Sequence, residues 1–254
     1  MLLAALKQPK AALEKRYQNA LQRAAQNGSL EQVKAFEALV KSSAKAVVNL
    51  DIGILDGIIN GSMRYINTYQ LRKIRTITKH PLADNRRFMV DGFFFYDFGQ
   101  SMAFAALSLD EKGIRPYGNC TITLKEGTIA YRASLLEEDS FQFFEKLERQ
   151  GEKIGRKALN GYIAAWEDRH KLAVAKLADH IKPGDTDDDF AKLLLNDEGK
   201  MSDAKFIEIH VFGFFNEAAI ESFSYFDEAK LANDPITREK QLDRIEKLKA
   251  QLQT

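Results

Sequence analysis

Between Lys205 and Phe212 the chain alternates strictly. Phe206, Glu208, His210 and Phe212 fall on one side, and Ile207, Ile209 and Val211 on the other. A period of two predicts a strand, here with one apolar face and one face carrying two titratable groups. Asn119 to Lys125 alternates as well, with Cys120, Ile122 and Leu124 set against Thr121, Thr123 and Lys125. Ile129 to Ser134 reads as its continuation, and Phe223 to Phe226 as a closing strand. Elsewhere helical spacing dominates. Leu2 to Gln26 is rich in Ala, Leu, Lys and Gln, and predicts an amphipathic helix. A second helix is expected from Leu30 to Asn49, and a third over Asp51 to Asn60, weakened by Gly53 and Gly57. Asp139 to His180 reads as a long helical stretch, broken near Gly151 to Gly155 and near Asn160. Leu242, Ile245, Leu248 and Leu252 mark a charged helix between Asp227 and Thr254.

The middle of the chain is less regular. Tyr65 to Thr78 has strand-like texture, and Phe88 to Val90 is a candidate short strand within an aromatic run that ends at Phe98. Gly99 to Leu109 reads as a small-residue helix. The layout predicted is α+β: a helical N-terminal arm (1–62), a body with antiparallel strands (63–226) and a C-terminal helix (227–254).

Composition narrows the classes. With 254 residues, 45% hydrophobic and 29% charged, the chain is globular rather than disordered or collagen-like. A single cysteine, Cys120, excludes a disulfide scaffold and a cysteine-cluster zinc site. No apolar run approaches the ~18 residues of a membrane span, so a soluble, cytoplasmic protein without membrane partners is the expectation. Net charge hides an asymmetry: residues 1–87 carry 15 Lys+Arg against 6 Asp+Glu. Arg64, Arg72, Lys73, Arg75, Lys79, Arg86 and Arg87 form its densest part. A basic surface of this kind attracts polyanions by neutralising phosphates and releasing counterions; it also fits a simple contact with the acidic remainder of the chain.

Several side chains are candidates for chemistry. Glu208 and His210 share one face of a strand, where a half-buried carboxylate must find a partner or mark a cleft. Arg115-Pro116-Tyr117 sits in a rigid turn before a strand, and Arg132 and Ser134 pair a cation with a hydroxyl. The Asp-rich turn after Pro183 lacks the spacing of a calcium loop and reads as a helix start that favours carboxylates. The dinucleotide fingerprint G-x-G-x-x-G, the P-loop, H-E-x-x-H and G-x-S-x-G are all absent from the sequence.

Tyr117 to Lys125, followed by Tyr131 to Ser134 and Glu138 to Phe141, and then Phe206 to Gly213, resembles bacterial and phage-associated ADP-ribosyltransferase-like toxin domains. In these a strand, an R-x-T/S step and a D-S block precede a strand bearing Glu, His and Gly. The resemblance covers about a tenth of the chain. It implies a split antiparallel β body that grips NAD as substrate. Glu208 would stabilise the ribose as nicotinamide leaves, and His210 would act as a base toward a nucleobase or hydroxyl acceptor. It further implies that Arg75, with Arg72 behind it, meets the diphosphate and that Tyr117 stacks on nicotinamide. Arg132 and Ser134 complete the cofactor-binding set. The family's paired glutamates become Glu208-Ile209-His210 here, which favours a nucleic acid acceptor, RNA foremost, over an arginine on a protein. A toxin role in phage defence, with an antitoxin partner, belongs to the same implication. Two other readings stay open: a metal-independent ribonuclease toxin using His210 and Arg132, and a non-enzymatic interaction protein using the aromatic run.

Overall fold

A computed structural model describes residues 7–62, 64, 65, 67, 81–149, 155–197, 204–225 and 235–252. Seven strands form one continuous antiparallel sheet: β1 (Lys45–Leu50), β2 (Met102–Ser108), β3 (Cys120–Leu124), β4 (Ala133–Leu136), β5 (Ile163–Ala165), β6 (Glu208–Phe212) and β7 (Ile220–Tyr225). Their order across the sheet is β5-β4-β6-β2-β1-β3-β7. The α+β class therefore holds. Among the described residues the strands make a single sheet rather than a body split in two.

Successive residues of each strand point to opposite faces, so each strand contributes to two layers. On one face lie Val48 of β1, Leu107 of β2, Ile122 of β3, Leu135 of β4 and Ile209 of β6, all within one buried apolar cluster. Helices α1 (Lys7–Gln26) and α2 (Leu30–Ser43) cover this face together with α6 (Arg169–Leu177) and α7 (Asp187–Leu194). Phe36 of α2 meets Phe190 of α7 edge to face. The C-terminal helix α8 (Pro235–Leu252) packs on α3 (Ile52–Ile59) and β7. The opposite face of the sheet is covered in part by α4 (Pro81–Phe95) and α5 (Ser140–Arg149), whose Phe94, Phe143 and Phe144 form a second cluster.

Several segments depart from expectation, among them Ile129 to Ser134, read as a continuing strand, which is a helical turn through Arg132 that enters β4 only at Ala133. Residues 45–50, read as the end of a helix and assigned to a helical arm, are an interior strand of the sheet. Ala44 already has extended backbone (φ −67°, ψ 131°), and Val47 and Val48 are β-branched residues that suit a pleated surface. Residues 102–108, read as a small-residue helix, are the central strand β2. Both strands are buried on both faces, so neither shows the alternation of a half-exposed strand. Phe88 to Val90 belongs to helix α4 rather than to a strand. The stretch from Asp139 to His180 is interrupted by β5 between two separate helices. The acidic turn is a helix start: Thr186 and Asp189 form a capping box at the head of α7. Most of Tyr65 to Thr78 lies outside the described residues. No helix among the described residues is long and apolar enough to cross a membrane.

Candidate active site

The second face of the sheet has a floor of unequal side chains. Register sets Val47 of β1 opposite Ala106 of β2, and Ala106 opposite Glu208 of β6. Ala106 is small, and the space above it opens into a cavity of about 540 Å³, within the usual range for small-molecule sites. Its walls include Glu208, Asp139, Arg87, Tyr117, Phe104 and Phe141.

Glu208 is 4% exposed. Its Oε2 accepts a hydrogen bond from the backbone N–H of Ser140 (2.8 Å) and lies 3.0 Å from His210 Nε2. Burial by itself would raise the Glu208 pKa. The bond to His210, the charges of His210 and Arg87, and the Ser140 N–H outweigh that and hold it below the ordinary value. Glu208 is thus a buried carboxylate kept in its charged form. His210 lies directly behind it on the same face, enclosed by Phe95 (4.7 Å between ring centroids), Phe104 (5.7 Å) and Phe94 (6.2 Å). It does not line the cavity.

Asp139 caps α5. Its Oδ1 accepts from the backbone N–H groups of Phe141 (2.9 Å) and Gln142 (3.1 Å). Burial, followed by the neighbouring charge of Glu208, pushes its pKa up to about 7. Two carboxylates on one cavity therefore sit on opposite sides of the ordinary range, the arrangement that separates an acid–base group from an electrostatic one.

Arg87 of α4 supplies the cation. Its guanidinium lies 4.0 Å from the centroid of the Phe104 ring and 5.0 Å from that of Phe141, and its Nε pairs with Asp91 at 2.9 Å. Burial opposes its charge, but Asp91, Glu208 and Asp139 more than offset this and raise its pKa. Among the described residues its buried Nη2 has no hydrogen-bond partner. A buried donor left in this way costs stability unless something occupies the cavity beside it.

Tyr117 stands on a loop pinned to β1. Asn49 Oδ1 accepts from the N–H of Ile114 (2.6 Å), and Asn49 Nδ2 donates to Thr121 Oγ1 (3.0 Å). Gly118 lets the loop lie against β1, since a Cβ there would meet the Leu50 backbone at 2.4 Å. Gly113, at φ +68°, sits as closely on Asn49. Tyr117 keeps 43% of its surface exposed, and burial of the rest, with the charges of Asp139 and Glu208, raises its hydroxyl pKa.

The other sequence candidates are placed elsewhere. Arg115, in the turn before β3, grips Asp197 through Nε (2.6 Å) and Nη2 (2.9 Å). Arg132 donates to the carbonyls of Thr128, Phe212 and Phe214, fastening the end of β6 away from the cavity. Ser134 is buried on β4 opposite His210 and does not reach the cavity lining. Arg72 and Arg75 lie outside the described residues. Sequence reasoning did not single out Arg87 or Asp139, although Arg87 stood in the basic cluster and Asp139 in the block that carries the family resemblance. Among the described residues no group of three His, Cys, Asp or Glu is placed to hold a metal ion. Compared with known proteins, the chain matches no family model, and no curated protein matches it.

Proposed function

We propose that the protein cleaves the bond between nicotinamide and ribose in NAD and transfers ADP-ribose to an acceptor: a nucleic acid, RNA foremost, or a protein. The observation that carries this reading is Glu208, a buried carboxylate kept charged on the wall of a cavity of small-molecule size. Breaking the glycosidic bond leaves positive charge on the ribose. A fixed anion in a low-dielectric setting stabilises that charge without reorganising. Nicotinamide needs no acid to leave, because its ring nitrogen starts cationic and becomes neutral on taking the electron pair.

The remaining groups suit the rest of the substrate. Tyr117 offers an aromatic face for the nicotinamide ring. Arg87 on the cavity wall offers a cation to a phosphate or carboxamide oxygen, a role the sequence reading gave to Arg75. His210 acts through Glu208, as a positioning residue that holds the carboxylate in place. The excess of basic residues over the first 87 positions supports a polyanionic acceptor.

The test is incubation with labelled NAD together with cellular RNA, DNA and protein. Release of nicotinamide and label on one of the three are expected, and NAD should raise the melting temperature, since it would bind only the folded state. No nicotinamide release and no thermal shift at millimolar NAD would overturn the reading.

A further inference from the structure

We infer that Asp139 is the group that takes the proton from an acceptor hydroxyl as its oxygen attacks the ribose, an inference that rests on the NAD reading above. The geometry comes from the head of α5. Three consecutive N–H groups there serve two carboxylates: Ser140 donates to Glu208, and Phe141 and Gln142 donate to Asp139 Oδ1. Glu208 and Asp139 are therefore held side by side, by one rigid element, against one cavity. Oδ1 of Asp139 is committed to its cap. Oδ2 has no protein partner among the described residues.

The two positions suit different tasks. The contacts of Glu208 with His210 and Ser140 both fall on Oε2, and with the charges of His210 and Arg87 they favour its charged form. Asp139 has a free oxygen and titrates near 7, so it exchanges a proton readily under ordinary conditions. The charged and titratable groups around it are Arg87 from α4, Glu208 with His210 behind it from β6, Tyr117 from the β1-pinned loop, and Glu145 further along α5. In the step itself, the C1′–N bond breaks and its electron pair goes to nicotinamide. The acceptor oxygen forms the new C1′–O bond, and its proton passes to Asp139 Oδ2 and then to water. Nothing is oxidised or reduced.

Asp139→Asn tests this, because asparagine keeps the Oδ1 that caps α5 but accepts no proton. Asp139→Ser, a second capping residue without a base, guards against an effect peculiar to one variant; melting temperatures establish that both are folded. The probe is NAD in buffer containing methanol as a small hydroxyl acceptor, with nicotinamide and methyl ADP-ribose both quantified. In the native protein the yield of methyl ADP-ribose per nicotinamide released should rise with pH through about 7. In both variants that yield should fall at least ~10-fold and lose its pH dependence. A native yield and pH profile in the folded variants would overturn the assignment of Asp139 alone. Absence of nicotinamide release from the native protein would overturn the NAD reading, and this assignment with it.

Discussion

The two faces of the sheet are made by the same strands, yet one is sealed and the other open. Along β6 and the residue before it, Ile207, Ile209 and Val211 are fully buried in the apolar cluster, while Glu208 and His210 between them point the other way. On β2 the same alternation sends Leu107 into the core and leaves Ala106 as the floor of the cavity. The sealed face is closed by helices that bury apolar side chains. The open face has α4 and α5 across one part only, and there their packing is aromatic. One side of the sheet supplies cohesion, and the other can hold polar groups in unfavourable surroundings because the first keeps the strands in place.

The sharpest break of this contrast is Glu208→Gln. Loss of a fixed charge at a developing cation typically removes ~100- to 1,000-fold in rate. Nicotinamide release should fall by about that factor while the protein still unfolds cooperatively, and an unchanged release rate would separate the open face from the proposed chemistry. Ile209→Ala, one residue along the same strand, should do the reverse. Truncating a fully buried isoleucine should cost about 2–5 kcal/mol in urea unfolding, with NAD turnover per folded molecule preserved. A loss below about 1 kcal/mol would mean that the core face is less tightly packed than its burial implies.

A pH titration probes the open face without altering side chains elsewhere. Asp139 titrates near 7 in the folded protein, above its ordinary value of 3.8. The folded state therefore holds more protons than the unfolded chain between those limits, and this contribution to stability is lost as pH rises through the window. The slope is at most about 1.4 kcal/mol per pH unit. Glu208 has the opposite sign: its lowered pKa adds stability above the ordinary glutamate range, and that is lost as the pH falls. Asp139→Asn should remove the downward slope between about pH 4 and 7 and leave the acid-side loss; an unaltered slope in the variant would assign it to another group.

What the sequence revealed follows the same division of faces. β3 and β6 were legible because apolar residues alternate with polar ones whose partners lie elsewhere in the fold. β1 and β2 were not, because burial on both faces replaces alternation with runs such as Ala46-Val47-Val48 and Ala103-Phe104-Ala105-Ala106, which read equally well as helix. In the candidate site, Glu208 and Tyr117 could be picked out from a strand pattern and a turn. Arg87 and Asp139 could not, because nothing local distinguishes them; one lies on a helix face and the other caps a helix. Their significance arises only when α4 and α5 converge over β6.

The smallest effect expected is at the rim. Tyr117 is held over the cavity by the contacts of Asn49 with the loop, yet its ring remains half exposed. A stacking contact of this kind is worth about 0.5–1.5 kcal/mol beyond the area it buries. Tyr117→Ala should therefore weaken NAD about 2- to 10-fold, read as a smaller thermal shift at fixed NAD, while Tyr117→Phe should restore it, because the proposed contact uses the ring and not the hydroxyl. If instead Tyr117→Phe is as weak as Tyr117→Ala, the hydroxyl is the group that matters. Tyr117 would then join the polar set of Arg87, Asp139 and Glu208 rather than the aromatic wall formed by Phe104 and Phe141.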